Sequence, residues 1–149
     1  MTSVQTDTSA VELVLTRMLD ASPEDVFDAW LGRQIGEWIG PRGVSAKPMM
    51  LEPNVGGRYR IEMTTPDGRT PIVGGFYREI VRPKRLVFTW AWEHESQEML
   101  ITVTFRRLGK QTEMTLRQEN FENAERRDSH QHGWTGSFDK LAEYLARRA

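Results

Sequence analysis

The sequence predicts an α+β fold: a curved antiparallel sheet of about seven strands, with two short helices near its start and one long helix at its end. Three observations lead there. Strand-like segments follow one another through turns too short to hold a crossover, which parallel pairing would require. Two of those segments alternate apolar and polar residues with period two, and the only long helical stretch comes last, from about Asn123 to Arg148.

The first strand is expected over Val11 to Leu19, where apolar residues cluster around Thr16 with imperfect alternation. Ser22-Pro23-Glu24-Asp25 then opens a helix. The serine can cap, the proline suits the first helical position, and the two acids favour the positive helix end, while Val26, Phe27 and Trp30 form an apolar face. Gly32 interrupts it. Ile35, Trp38 and Ile39 suggest a second brief helix, ended by Gly40-Pro41.

Strands are then expected at Val44 to Glu52 and Arg58 to Thr65, joined through Pro53-Asn54-Val55-Gly56-Gly57, and at Ile72 to Val81 after the turn Pro66-Asp67-Gly68. The Ile72 to Val81 segment is ambiguous, because Phe76 and Ile80 share a parity with Arg78 while Tyr77 and Val81 share one with Glu79. Further strands run from Leu86 to Glu93, Met99 to Arg107 and Thr112 to Gln118. Leu86, Phe88, Trp90 and Trp92 in one, and Met99, Ile101, Val103 and Phe105 in the next, make one sheet face strongly apolar. Thr112, Met114, Leu116 and Gln118 extend that face. The long helix carries Trp134, Phe138, Leu141 and Leu145 on one stripe in its second half. Its first half is mostly polar, and the same stripe brings His130, Gly133 and Ser137 toward the sheet.

Composition narrows the function classes. Hydrophobic residues make up 38% and charged residues 28% of the 149 positions, an ordinary globular balance. Lys+Arg at 20 against Asp+Glu at 21 gives a formal charge of -1 without long runs of either sign, so no nucleic-acid partner is expected. No stretch approaches the roughly 18 apolar residues of a membrane span, and the start lacks a secretory pattern, so no membrane partner is expected either and the cytoplasm is the expected compartment. The absence of cysteine removes thiolate catalysis and disulfides.

The ordered motifs Ser-Pro-Glu-Asp-Val-Phe-Asp-Ala-Trp (22 to 30), Trp38-Ile39-Gly40-Pro41, Gly56-Gly57-Arg58-Tyr59, Pro66-Asp67-Gly68, Gly75 with Glu79-Ile80, Pro83-Lys84-Arg85-Leu86-Val87-Phe88-Thr89-Trp90, and the closing His130, Gly133-Trp134 and Leu141 resemble the START-like, birch-pollen-allergen-like superfamily. The local sequence is similar to its bacterial branch, related to the C-terminal domain of the activator of the heat-shock-protein-90 ATPase. The resemblance spans nearly the whole chain after Ala10. It implies a helix-grip fold, with residues 1 to 10 a flexible tail and residues 11 to 149 one domain, and a pocket for an apolar ligand more than any single reaction. Chaperone contact is the weaker implication, since the activator's separate N-terminal domain has no counterpart here.

Trp38, Phe88, Trp90, Trp92, Phe105, Trp134 and Phe138 are candidates to line such a pocket, the competing account for each being plain core packing. His130 and Tyr59 are candidate polar contacts to a ligand. A metal site is not expected, because His130 and His132 point about 200° apart on a helix and no cysteine completes a set. His94 is the third histidine. No cofactor is expected: Gly56-Gly57 lacks the spacing of a phosphate loop and leads into a strand. No serine stands in a nucleophile elbow, and Glu62, Glu79 and Glu119 form no recognisable catalytic pair. The leading expectation is a non-enzymatic module binding a small hydrophobic or amphipathic molecule between sheet and terminal helix. A polyketide cyclase or hydrolase-like enzyme using His130, Tyr59 or Glu62, and a protein-interaction or co-chaperone role, are the alternatives. A homodimer is left open.

Overall fold

A computed structural model describes residues 11–149; the tail expected over residues 1–10 lies outside the described residues. The strands are β1 (Glu12–Leu19), β2 (Ser45–Leu51), β3 (Arg58–Thr64), β4 (Ile72–Val81), β5 (Arg85–Trp92), β6 (Met99–Leu108) and β7 (Gln111–Glu119). They form one sheet in the order β1-β7-β6-β5-β4-β3-β2, every neighbouring pair antiparallel. The helices are α1 (Pro23–Trp30) and the long α2 (Ala124–Arg148), so the chain has the curved-sheet, helix-grip architecture that the motif order implied.

Local chemistry fixes the helix ends. Ser22 Oγ accepts the Asp25 amide at 3.1 Å to cap α1, with Pro23 in the first turn. Asn120, in the left-handed region at φ 81°, turns the chain out of β7, and Asn123 Oδ1 accepts the Arg126 amide at 2.9 Å to start α2. The second brief helix proves to be a 3-10 turn, Arg33–Glu37, because Gly32 at φ 133° ends α1 and five residues leave no room for a full helical ladder.

The ambiguity of β4 has a physical resolution. Its register against β5 shifts between Tyr77 and Glu79, leaving Arg78 as an extra, outward residue. Tyr77 therefore points inward before the bulge and Ile80 packs on the core after it, so residues of opposite parity share one face. Just before the bulge, the Phe76 amide donates to Thr89 Oγ1 at 2.8 Å instead of completing the ladder, and the β4–β5 pairing is interrupted there.

The inner face is filled unevenly. Trp30 of α1 sits among Trp38, Phe88, Trp134 and Phe138 with ring centroids 4.8 to 6.2 Å away, and its indole proton meets Met114 Sδ at 3.3 Å. Phe27 packs edge-on against Phe105 at 5.4 Å. Helix α1 thus packs over β6 and β7, and Phe138, Leu141, Tyr144 and Leu145 bury the second half of α2.

Candidate functional site

The first half of α2 is not packed down in this way, and a cleft of about 610 Å³ lies between it and the sheet. Trp90 and Trp92 of β5, Met63 at the end of β3, Ile39 and Val44 of the loop after the 3-10 turn, and Trp134 of α2 supply apolar wall. Arg126, Ser129 and His130 of α2, His94 and Glu95 of the β5–β6 turn, and Thr65 and Arg69 of the β3–β4 turn supply polar groups. Gly133 stands in the same wall. A Cβ built there would meet no atom within 4 Å, so this helix-interior glycine adds room that packing does not demand. Gly136, one turn on, differs: its Cβ would come within 3.1 Å of Pro41 Cα, so the glycine lets α2 approach the loop. Ser137 Oγ accepts the Gly40 amide at 2.9 Å and fixes that approach.

Polar groups in the wall are coupled. Gln118, fully buried on β7, accepts the indole proton of Trp134 at 2.8 Å through Oε1, and its Nε2 lies 3.3 Å from both His130 Nδ1 and Met99 Sδ. Burial first and Arg126 second push His130 down to about 4, with Glu95 acting in the opposite sense, so the ring is neutral near pH 7. Arg126 and Glu95 pair at 2.6 Å, which holds the Glu95 carboxyl below its ordinary value. His94 Nε2 stands 3.4 Å from the same carboxylate. The Trp90 indole nitrogen, buried in this wall, has no hydrogen-bond partner among the described residues.

Of the nine residues singled out from the sequence, Trp90, Trp92, His130 and Trp134 line the cleft. The other five do not. Trp38 is fully buried, with its indole proton on Ala29 O at 3.0 Å; Phe105 is closed off by Phe27; and Phe138 packs between Trp30 and Trp134. Tyr59 and Phe88 border only a gap of about 10 Å³, too small for a ligand. The Tyr59 hydroxyl already donates to Thr89 O at 2.5 Å, and burial raises its pKa well above the ordinary value. Glu62 alternates to the opposite side of β3 from Tyr59 and Ile61. His130, Tyr59 and Glu62 therefore occupy three separate places. Among the described residues, no three His, Asp or Glu side chains are grouped to hold a metal.

Sequence reasoning missed Gln118 as a site residue, although its position on the inward parity of β7 was readable. It also missed the Glu95–Arg126 pair, which joins a turn to a helix start and leaves no local pattern.

A family model described as Activator of Hsp90 ATPase homolog 1-like protein matches residues 20–146. The chain belongs to that family. Among solved structures it is similar to a protein from Chromobacterium violaceum, with 28% identity, a TM-score of 0.84, and coverage of 89% of this chain and 95% of the other. A solution structure from Arthrobacter aurescens matches with 25% identity and a TM-score of 0.84, covering 97% and 91%. The AHSA1 protein from Silicibacter pomeroyi matches with 25% identity and a TM-score of 0.82, covering 93% and 100%. A comparison with curated proteins gives no match. No helix among the described residues is long and apolar enough to cross a membrane.

Proposed function

We infer that this member of the Activator of Hsp90 ATPase homolog 1-like family binds a small hydrophobic or amphipathic molecule in the cleft between the sheet and the first half of α2. The supporting observation is the contrast within one interior. Where Trp30 and the 3-10 turn meet β3, β4 and β5 the interior keeps a gap of only about 10 Å³, whereas beside the first half of α2 it keeps about 610 Å³ walled by three tryptophans. That volume falls within the roughly 300 to 1,000 Å³ of small-molecule sites, and its mix of large apolar walls with few polar groups suits such a ligand.

The cyclase or hydrolase alternative loses its proposed residues, because His130, Tyr59 and Glu62 do not converge. The test is thermal unfolding against a library of lipids and small aromatic compounds. A ligand at about a hundredfold excess over its Kd stabilises the native state by about 2.7 kcal/mol, or roughly 5 to 10 °C in a protein of this size. Library-wide failure to shift the transition would contradict the reading.

A further inference from the structure

The hydrogen bonds behind the cleft wall have only one consistent direction. The Trp134 indole nitrogen can only donate, so the atom of Gln118 facing it at 2.8 Å is the carbonyl oxygen. The Gln118 amide nitrogen then faces Met99 Sδ and His130 Nδ1, each at 3.3 Å. An amide NH₂ only donates, so Nδ1 of His130 accepts, and in the neutral ring the proton sits on Nε2. Phe121 fixes the ring orientation edge-on at 5.1 Å.

The Nε2–H has no acceptor among the described residues. It is not walled in either, because the one sealed and unpartnered side-chain nitrogen or oxygen among them is Trp90 Nε1. Both His130 and Trp90 belong to the cleft wall. His130 Nε2–H is therefore an open, unspent donor of the wall, whereas the Trp90 indole proton is unspent but sealed. Of the other polar groups in the wall, Ser137 Oγ bonds Gly40 and Gly133 and Arg126 is held by Glu95, while Ser129 and His94 stand beside His130 as further polar groups. The Glu95 carboxylate at this end of the cleft is offset by its 2.6 Å pair with Arg126, and Arg126 outweighs Glu95 at His130, so no net negative charge opposes an anionic headgroup.

We propose that the cleft takes ligands whose apolar body carries a carbonyl-type acceptor, received by His130 Nε2–H in the tautomer that the Trp134–Gln118 relay fixes. This rests on the binding reading above and specifies the chemical class of its ligand. The apolar body lies against Trp90, Trp92 and Trp134, and the carbonyl oxygen meets the imidazole.

The experiment compares three probes of equal chain length, 2-undecanone, undecane and undecanoate, by calorimetric titration of the native protein and of His130→Phe. The ketone is expected to bind about tenfold more tightly than the alkane, the difference of roughly one desolvated hydrogen bond, and the carboxylate, an acceptor too, also more tightly than the alkane. In His130→Phe the ketone's advantage over the alkane should vanish. Equal binding of ketone and alkane to the native protein, or an unchanged ketone advantage in His130→Phe, overturns the proposal while leaving the binding reading intact. Binding of none of the three removes both. Independently of any ligand, a long-range proton–nitrogen NMR spectrum should show His130 as the Nε2–H tautomer near neutral pH, and the Nδ1–H pattern would overturn the assignment.

Discussion

Gln118 Oε1 accepts the indole proton of Trp134 at 2.8 Å, tying the inner face of β7 to the turn of α2 that borders the cleft. Gln118 is fully buried, so removing its amide leaves both the Trp134 donor and His130 Nδ1 unsatisfied. Gln118→Leu is expected to destabilise the fold by about 2 to 3 kcal/mol, and Trp134→Phe by less. A double-mutant cycle read by urea unfolding should give a coupling of about 1 kcal/mol or more. Additive losses would show that the bond contributes nothing specific.

The titration of His130 has a defined sign. Its folded-state pKa of about 4 lies below the ordinary 6.5, so the unfolded chain binds the proton more readily between these values. The stability contributed by the neutral ring is fully present above 6.5 and lost as the pH falls toward 4. The loss should be about 2 kcal/mol, less than the full shift implies because the ring keeps some contact with solvent. Facing groups act too: Arg126 on the same helix lowers the value, and Glu95 from the β5–β6 turn raises it. Unfolding free energies of the native protein and His130→Gln, compared from about pH 7 down to pH 4, isolate this residue from the carboxylates. The native protein should lose its advantage over that interval, and a constant difference would contradict the account.

Two glycines should respond oppositely to the same substitution. A Cβ at Gly75 would lie 2.2 Å from Thr89 O and 2.5 Å from Thr89 Oγ1, so Gly75→Ala must push β4 off β5 where their pairing is interrupted, at a cost of about 2 to 3 kcal/mol. Gly133→Ala meets nothing, and the helix should gain roughly 0.5 to 1 kcal/mol. Denaturant midpoints of the two variants check both signs.

Tryptophans of the packed end and of the cleft should also separate. Trp30 touches four aromatic rings and is 1% exposed, so Trp30→Ala should cost about 3 to 5 kcal/mol. Trp92, half-buried at the cleft wall, should cost about 1 to 2 kcal/mol on the same change, measured by chemical unfolding.

The fold was legible wherever burial leaves a periodic trace. The alternation of Leu86, Phe88, Trp90 and of Met99, Ile101, Val103 placed β5 and β6 and their inner face, and Ser22-Pro23 marked the start of α1. Period two failed at β4, where the extra residue Arg78 transfers the inward set from Tyr77 to Ile80. The site was legible only in part. Periodicity says which side of a strand a residue faces, but not whether another side chain waits there. Phe105 and Trp90 read alike in the sequence; Phe27 covers the first, while the second borders open space. Tyr59 looked free to contact a ligand because its hydroxyl partner, the Thr89 carbonyl, is a backbone atom 30 residues away. Gln118 lay in plain view on an apolar parity, where a buried amide calls for partners from another element.

The central claim is that the space beside Gly133 receives a ligand. Titration of the native protein and of Gly133→Leu with the neutral fluorophore N-phenyl-1-naphthylamine, read by energy transfer from the cleft tryptophans, tests it most directly. Saturable binding to the native protein and its loss in a Gly133→Leu variant of unchanged stability is the expected result. Equal binding to both proteins, or none to the native one, would contradict it.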